Sequence, residues 1–88
     1  MLLFVYSKGC PACAHAKPEF EKFKARNPMQ MALEIDADGP YPPQFGLPRI
    51  RATPLYVLKL GEIGVTHEGA MKAEQIEKWV KAAQAAEG

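Results

Sequence analysis

The sequence predicts a layered α/β domain with the order β-α-β-(loop)-β-β-α and a four-stranded mixed sheet flanked by helices. Three observations predict it: a wholly apolar run at Leu2–Tyr6, two stretches with helical periodicity, and two short apolar runs around Gly61-Glu62. With 88 residues the chain is expected to be one domain, 1–88, with an adequate but not generous core. Hydrophobic residues at 48% and charged residues at 24% argue against disorder. A formal net charge of +1 gives no basic patch of the kind that nucleic acid or a membrane surface demands, so neither is an expected partner.

Leu2-Leu3-Phe4-Val5-Tyr6 is continuously apolar and stops at Ser7-Lys8-Gly9, the pattern of a strand buried on both faces and therefore central in the sheet. The run is too short for a signal-peptide core or a membrane span, and no positive region precedes it, so a cytoplasmic protein is expected. From Pro11 to about Arg26, Cys13, Ala16, Phe20 and Phe23 recur at spacings of three and four, with Lys17, Glu19, Glu21, Lys22 and Lys24 on other faces. This predicts an amphipathic helix against the sheet. Pro18 lies inside it and predicts a kink, and Asn27-Pro28 ends it.

Met31, Leu33 and Ile35 alternate with Ala32 and Glu34, which predicts a half-buried strand parallel to the first through a right-handed crossover. Asp36 to Gly46 holds two glycines and three prolines and is a connection, with room for a short helical turn near Pro43-Phe45. Pro42-Pro43 is a rigid loop element rather than a polyproline ligand, because no longer proline-rich tract surrounds it. Leu55–Leu60 and Ile63–Thr66 flank Gly61-Glu62 as a hairpin whose turn type the sequence leaves open. Ile76, Trp79, Val80 and Ala83 mark a second amphipathic helix, with Trp79 as a core residue and Glu77 and Lys81 as an exposed pair.

Both cysteines of the chain fall in Ser7-Lys8-Gly9-Cys10-Pro11-Ala12-Cys13, between the first strand and the first helix. A disulfide needs Cα atoms roughly 4.4–6.8 Å apart, and residues i and i+3 across a first helical turn meet that condition. The unpaired N–H groups and the positive dipole end of a helix start favour an anion, so Cys10 is the candidate nucleophile and Cys13 the resolving thiol. Pro11 suits the first helical position, where its missing N–H has no partner to lose. A bare C-x-x-C is shared by redox pairs and by half-sites for zinc, but its place after a strand in a βαβ-like pattern reads as redox. Two cysteines so close in a reducing compartment are catalytic or metal-binding sooner than a structural staple.

The element order, Cys10-Pro11-Ala12-Cys13 and the segment from Ile50 to Gly69 together resemble the thioredoxin and glutaredoxin superfamily over nearly the whole chain. Pro18, five residues after Cys13, stands where thioredoxin helices carry a kinking proline. Leu33-Glu34-Ile35-Asp36 is similar to the family strand ending in Ile-Asp, and Phe45-Gly46-Leu47 to its Tyr-Gly-Ile. Thr53-Pro54 matches the family's cis-proline, which packs opposite the cysteines. Glu68-Gly69-Ala70-Met71-Lys72 is similar to the thioredoxin sequence before its last helix, whereas the compact outline is that of a glutaredoxin. The resemblance implies a thioredoxin-like fold and a dithiol-disulfide oxidoreductase acting in electron transport and cell redox homeostasis. Cys10 and Cys13 are then catalytic, with Lys8, Pro11, Ala12, Thr53, Pro54 and Gly69 facing a disulfide-containing protein substrate. The implied electron donor is a thioredoxin-reductase-like enzyme or glutathione, the implied state a monomer, and no cofactor is needed. Three departures stand out: Gly9 replaces the tryptophan before the first cysteine, Phe4 the buried aspartate, and Ala32 that aspartate's lysine partner. Losing both charges together is self-consistent, because either one buried alone would destabilise the fold.

Three residues have a functional and a plainer reading. Lys8 can swing toward Cys10 or stay in solvent; His15 lies two residues past Cys13, off its helix face; His67 either borders the site or is an exposed strand residue. The competing class is metal or iron–sulfur binding through Cys10 and Cys13, with His15 and His67 as ligand types but without recognisable ligand spacing. A third is a docking module that uses the fold alone.

Overall fold

A computed structural model of the chain describes residues 1–40 and 46–87. Its elements are β1 (Leu2–Tyr6), α1 (Pro11–Arg26), β2 (Ala32–Asp36), β3 (Leu55–Leu60), β4 (Ile63–Glu68) and α2 (Ala73–Glu87). The sheet order is β2-β1-β3-β4, with β1 parallel to β2 and antiparallel to β3, and β3 antiparallel to β4. This is the predicted β-α-β-(loop)-β-β-α mixed sheet, and β1 is central as its unbroken apolar run requires.

Alternation along the strands sends side chains to two unlike faces. Leu2, Phe4, Tyr56 and Leu58 meet Ala16, Phe20 and Phe23 of α1 and Ile76 and Val80 of α2, so both helices cover one face. Phe4 stacks on Phe20 with ring centroids 4.8 Å apart and lies 5.3 Å from Tyr56. The Tyr56 hydroxyl accepts the Met71 N–H at 3.2 Å, which gives its polar end a partner; burial raises its ionisation above the ordinary tyrosine range. The opposite face carries Leu3, Val5, Ile35, Leu55 and Val57, and the residues packed over them are Met1, Ala37, Leu47 and Ile50.

The helices are also tied to each other. Glu19 of α1 accepts the Ala73 N–H at 2.9 Å, capping the start of α2 from a neighbouring helix. Arg26 forks to Glu74 and Glu77 at 3.2 and 2.8 Å, and Asn27, the C-cap of α1, donates to Glu77 at 2.8 Å.

Some expectations need correction. In the β2 region only Ile35 is buried; Leu33 is 39% and Met31 64% exposed. β2 is an edge strand, and Met31 precedes it. β4 runs two residues further than expected, to Glu68, because ladder pairing with β3 persists through Tyr56↔His67 and Leu55↔Glu68 although the side chains are polar. In the two-residue hairpin turn Gly61 has φ +65 while Glu62 is not in the positive region, the pattern of a type II′ turn. Pro18 lies inside α1, where the sequence places it. The expected turn near Pro43-Phe45 and the Pro42-Pro43 pair lie outside the described residues.

Candidate active site

The C-terminal end of β1 and the N-terminal start of β3 meet at one end of the sheet because the two central strands are antiparallel neighbours. β1 delivers the Ser7–Cys13 turn there and β3 delivers Thr53-Pro54. Gly9 is held at φ +73, a left-handed conformation that side chains rarely adopt. That accounts for glycine at the position where thioredoxins carry tryptophan.

Cys10 is the N-cap of α1, with extended backbone at φ −92 and ψ 107, and Pro11 occupies the first turn. The Cys10 Sγ accepts the Cys13 N–H at 3.1 Å, so one of the orphan donors of the helix start points at the sulfur. No acidic residue lies in the first turn of α1, so nothing there opposes the positive end of the dipole. Cys10 and Cys13 are joined as a disulfide, with Cα atoms 5.2 Å apart. Their exposure is unequal: Cys10 is half-buried, whereas Cys13 is 5% exposed.

Across from the pair, the Thr53 carbonyl oxygen lies 3.5 Å from the Cys10 Sγ. The Thr53-Pro54 peptide is cis and Pro54 is buried. Two hydrogen bonds hold this corner. The hydroxyls of Ser7 and Thr53 meet at 2.7 Å, and the Gly69 N–H donates to the Pro54 carbonyl at 2.9 Å. The Ser7 contact escaped the sequence reading, because its partner is 46 residues away and no local pattern marks it.

Beneath the disulfide is a cleft of about 190 Å³ lined by Phe4, Tyr6, Cys10, Cys13 and Lys17, among others. Its floor is apolar. Phe4, in place of the aspartate that the resemblance leads one to expect, is fully buried, and Ala32 packs against the same cluster. Lys17 sits over the Tyr6 ring at 5.9 Å from its centroid, at the rim of the cleft.

The other sequence candidates scatter. Pro11 and Ala12 are exposed between the cysteines, and Lys8 is exposed and does not line the cleft. Gly69 is exposed with φ +101, its N–H used within the protein. His15 lies in a separate hollow with Glu19, Met71 and Gln75. His67 is neither an exposed residue nor a border of the site. It is half-buried on the helix-covered face, its ring centroid 6.0 Å from Tyr56 and 6.1 Å from Trp79, because it pairs with Tyr56 in the ladder. Among the described residues no three histidine, cysteine, aspartate or glutamate side chains converge as a metal site, and no helix is long and apolar enough to cross a membrane.

No protein-family model matches the sequence, and no curated protein matches it. Among solved structures the chain is similar to chloroplastic thioredoxin z, whose crystal structure is described as defining a novel type-specific target recognition. The identity is 22%, over 96% of this chain and 77% of that one, with a TM-score of 0.76. The chain therefore has a thioredoxin-like fold, and its close cysteine pair fits a redox-active example of that fold.

Proposed function

We propose that the protein is a dithiol-disulfide oxidoreductase that reduces protein disulfides, with Cys10 as nucleophile and Cys13 as resolving thiol. The observation that carries this reading is Cys10 at the N-cap of α1, its sulfur facing the Cys13 N–H and the Thr53 carbonyl. In the reduced protein the helix start favours the Cys10 thiolate over the thiol. That thiolate attacks one sulfur of a substrate disulfide. A bond forms between Cys10 and the substrate, and the other substrate sulfur leaves as a thiolate that takes up a proton. Cys13 then attacks Cys10, giving the intramolecular disulfide and releasing the second substrate thiolate. Two electrons have passed from the protein to the substrate.

The second step requires Cys13 to lose its proton. With Phe4 and Ala32 in the apolar cluster below, the departing substrate thiolate or water serves as the acceptor. Thr53 offers its backbone to an extended substrate segment beside the disulfide, as in strand addition, with Pro11, Ala12 and Pro54 forming the surrounding surface. A thioredoxin-reductase-like enzyme or glutathione restores the dithiol in a reducing compartment such as the cytoplasm.

The test uses the full chain with a disulfide-bonded protein substrate and a chemical reductant. Cys10→Ser is expected to abolish turnover, whereas Cys13→Ser accumulates a covalent mixed disulfide visible by intact mass. Retained turnover in Cys10→Ser overturns the assignment.

A further inference from the structure

We infer that the groove beside Thr53 selects substrates that carry acidic side chains within a few residues of the reducible cysteine, with Arg49 and Arg51 as the selecting groups. The inference rests on the dithiol exchange proposed above and adds the chemistry of the segment that reaches the site.

Arg49 and Arg51 lie on the connection that leads into Thr53-Pro54, and both are exposed. Among the described residues the salt bridges are made by Lys22, Lys24 and Arg26, all on α1, and neither Arg49 nor Arg51 takes part. Arg49 and Arg51 are thus two exposed guanidinium groups outside any ion pair among the described residues, on the connection that leads into Thr53-Pro54, whereas Lys22, Lys24 and Arg26 of α1 are paired.

Arg51 lies between two hollows, one of which reaches Thr53. A groove of about 410 Å³ is lined by both arginines together with Pro48, Leu55, Thr66 and Glu68. Arg51 also lines a neighbouring hollow of about 250 Å³ that includes Ser7, Asp38 and Thr53. Thr53 is the residue whose carbonyl lies 3.5 Å from Cys10, and its N–H has no backbone partner among the described residues. An extended segment paired there advances about 3.3 Å per residue, so side chains two to four positions from the attacked cysteine fall alongside the arginines. The planar guanidinium donates two parallel hydrogen bonds to a carboxylate, which a neutral side chain cannot match. Glu68 and Asp38 share these hollows, but neither is paired with an arginine, and their repulsion holds the preference to a moderate size.

The experiment measures single-turnover reduction of synthetic peptides whose one cysteine is bonded to a coloured aromatic thiol. One peptide carries Asp and Glu two to four residues on either side of the cysteine, and its twin carries Asn and Gln. At low salt the reduced full chain is expected to act on the acidic peptide about fivefold faster, an advantage that disappears at about 0.5 M salt. Arg49→Gln combined with Arg51→Gln brings the ratio of acidic to neutral rates to about one; Arg51→Glu turns the preference toward a Lys-flanked peptide. Lys78→Gln combined with Lys81→Gln, which removes the same two charges from the exposed surface of α2, leaves the ratio as it was. Equal rates for the acidic and neutral peptides, or an advantage that survives both arginine substitutions, overturn the selectivity while leaving the dithiol reading standing. Failure of the reduced protein to act on either peptide, or release of the coloured thiol by Cys10→Ser, overturns the dithiol reading and the selectivity with it.

Discussion

The two faces of the sheet are built for different tasks. On one, Phe4, Phe20, Phe23 and Tyr56 interlock with both helices, and the helices are cross-tied by Glu19 and Arg26. On the other, five aliphatic side chains are met by half-buried Met1 and by Ala37, Leu47 and Ile50 of a proline- and glycine-rich connection. The first face fixes the start of α1, and so the direction from which donors meet the Cys10 sulfur. The second supplies Thr53, Pro54 and the arginines from the connection between β2 and β3. In the proposed exchange the first face would hold the attacking sulfur in place and the second would meet the substrate segment.

The contrast breaks most visibly at Phe20. Phe20→Ala removes a fully buried ring between Phe4 and Phe23 and is expected to cost about 3–5 kcal/mol in denaturant unfolding. A loss below about 1 kcal/mol would mean that the helical face is no tighter than the other. Ile50→Ala trims a half-buried residue packed against the aliphatic cluster of this face, and about 1 kcal/mol is expected. Hydrogen exchange sharpens this test: amides of 47–53 should exchange faster in the variant while those of α1 stay protected.

A smaller effect comes from Glu19. The Ala73 N–H holds its carboxyl below the usual carboxylate range, with Lys22 adding to this and burial opposing it. A carboxyl with a lowered folded value stabilises the fold fully above its unfolded value, and that contribution is lost as pH falls through the folded one. Glu19→Gln is therefore expected to lower Tm at neutral pH, and the gap to the parent should close on acidification. A gap that stays constant across the acid range would show that Glu19 acts through packing alone. The exposed Arg26 fork should matter least, and less still at high salt.

How much of this was legible depends on how local the signal is. β1 and both ends of α1 stand where the sequence places them, because an unbroken apolar run, Pro11 at the first turn and Asn27 at the last are cues that need no partner. Leu33 misled, since alternation reports which face a side chain takes but not whether anything covers it. The same holds for His67, whose polar character suggested solvent until its ladder partner Tyr56 drew it beside Trp79. In the site, the cysteines are three residues apart and readable at sight. The Thr53 carbonyl, 43 residues from the sulfur it faces, came into view only through family resemblance. Ser7 and the arginines had no such guide.

The closeness of the cysteines has a thermodynamic side. Their bridge closes only a first helical turn, so an unfolded chain can form it too and loses little freedom by doing so. The potential of the folded pair therefore records how far native surroundings favour dithiol over disulfide, set against a nearly indifferent coil. Folding and redox equilibria form a closed cycle, so the oxidised and reduced proteins differ in stability by the free energy that separates folded from unfolded potentials, about 1.4 kcal/mol for every 30 mV. Two melting curves, one for each redox form, thus weigh the electrostatics of a single helix start.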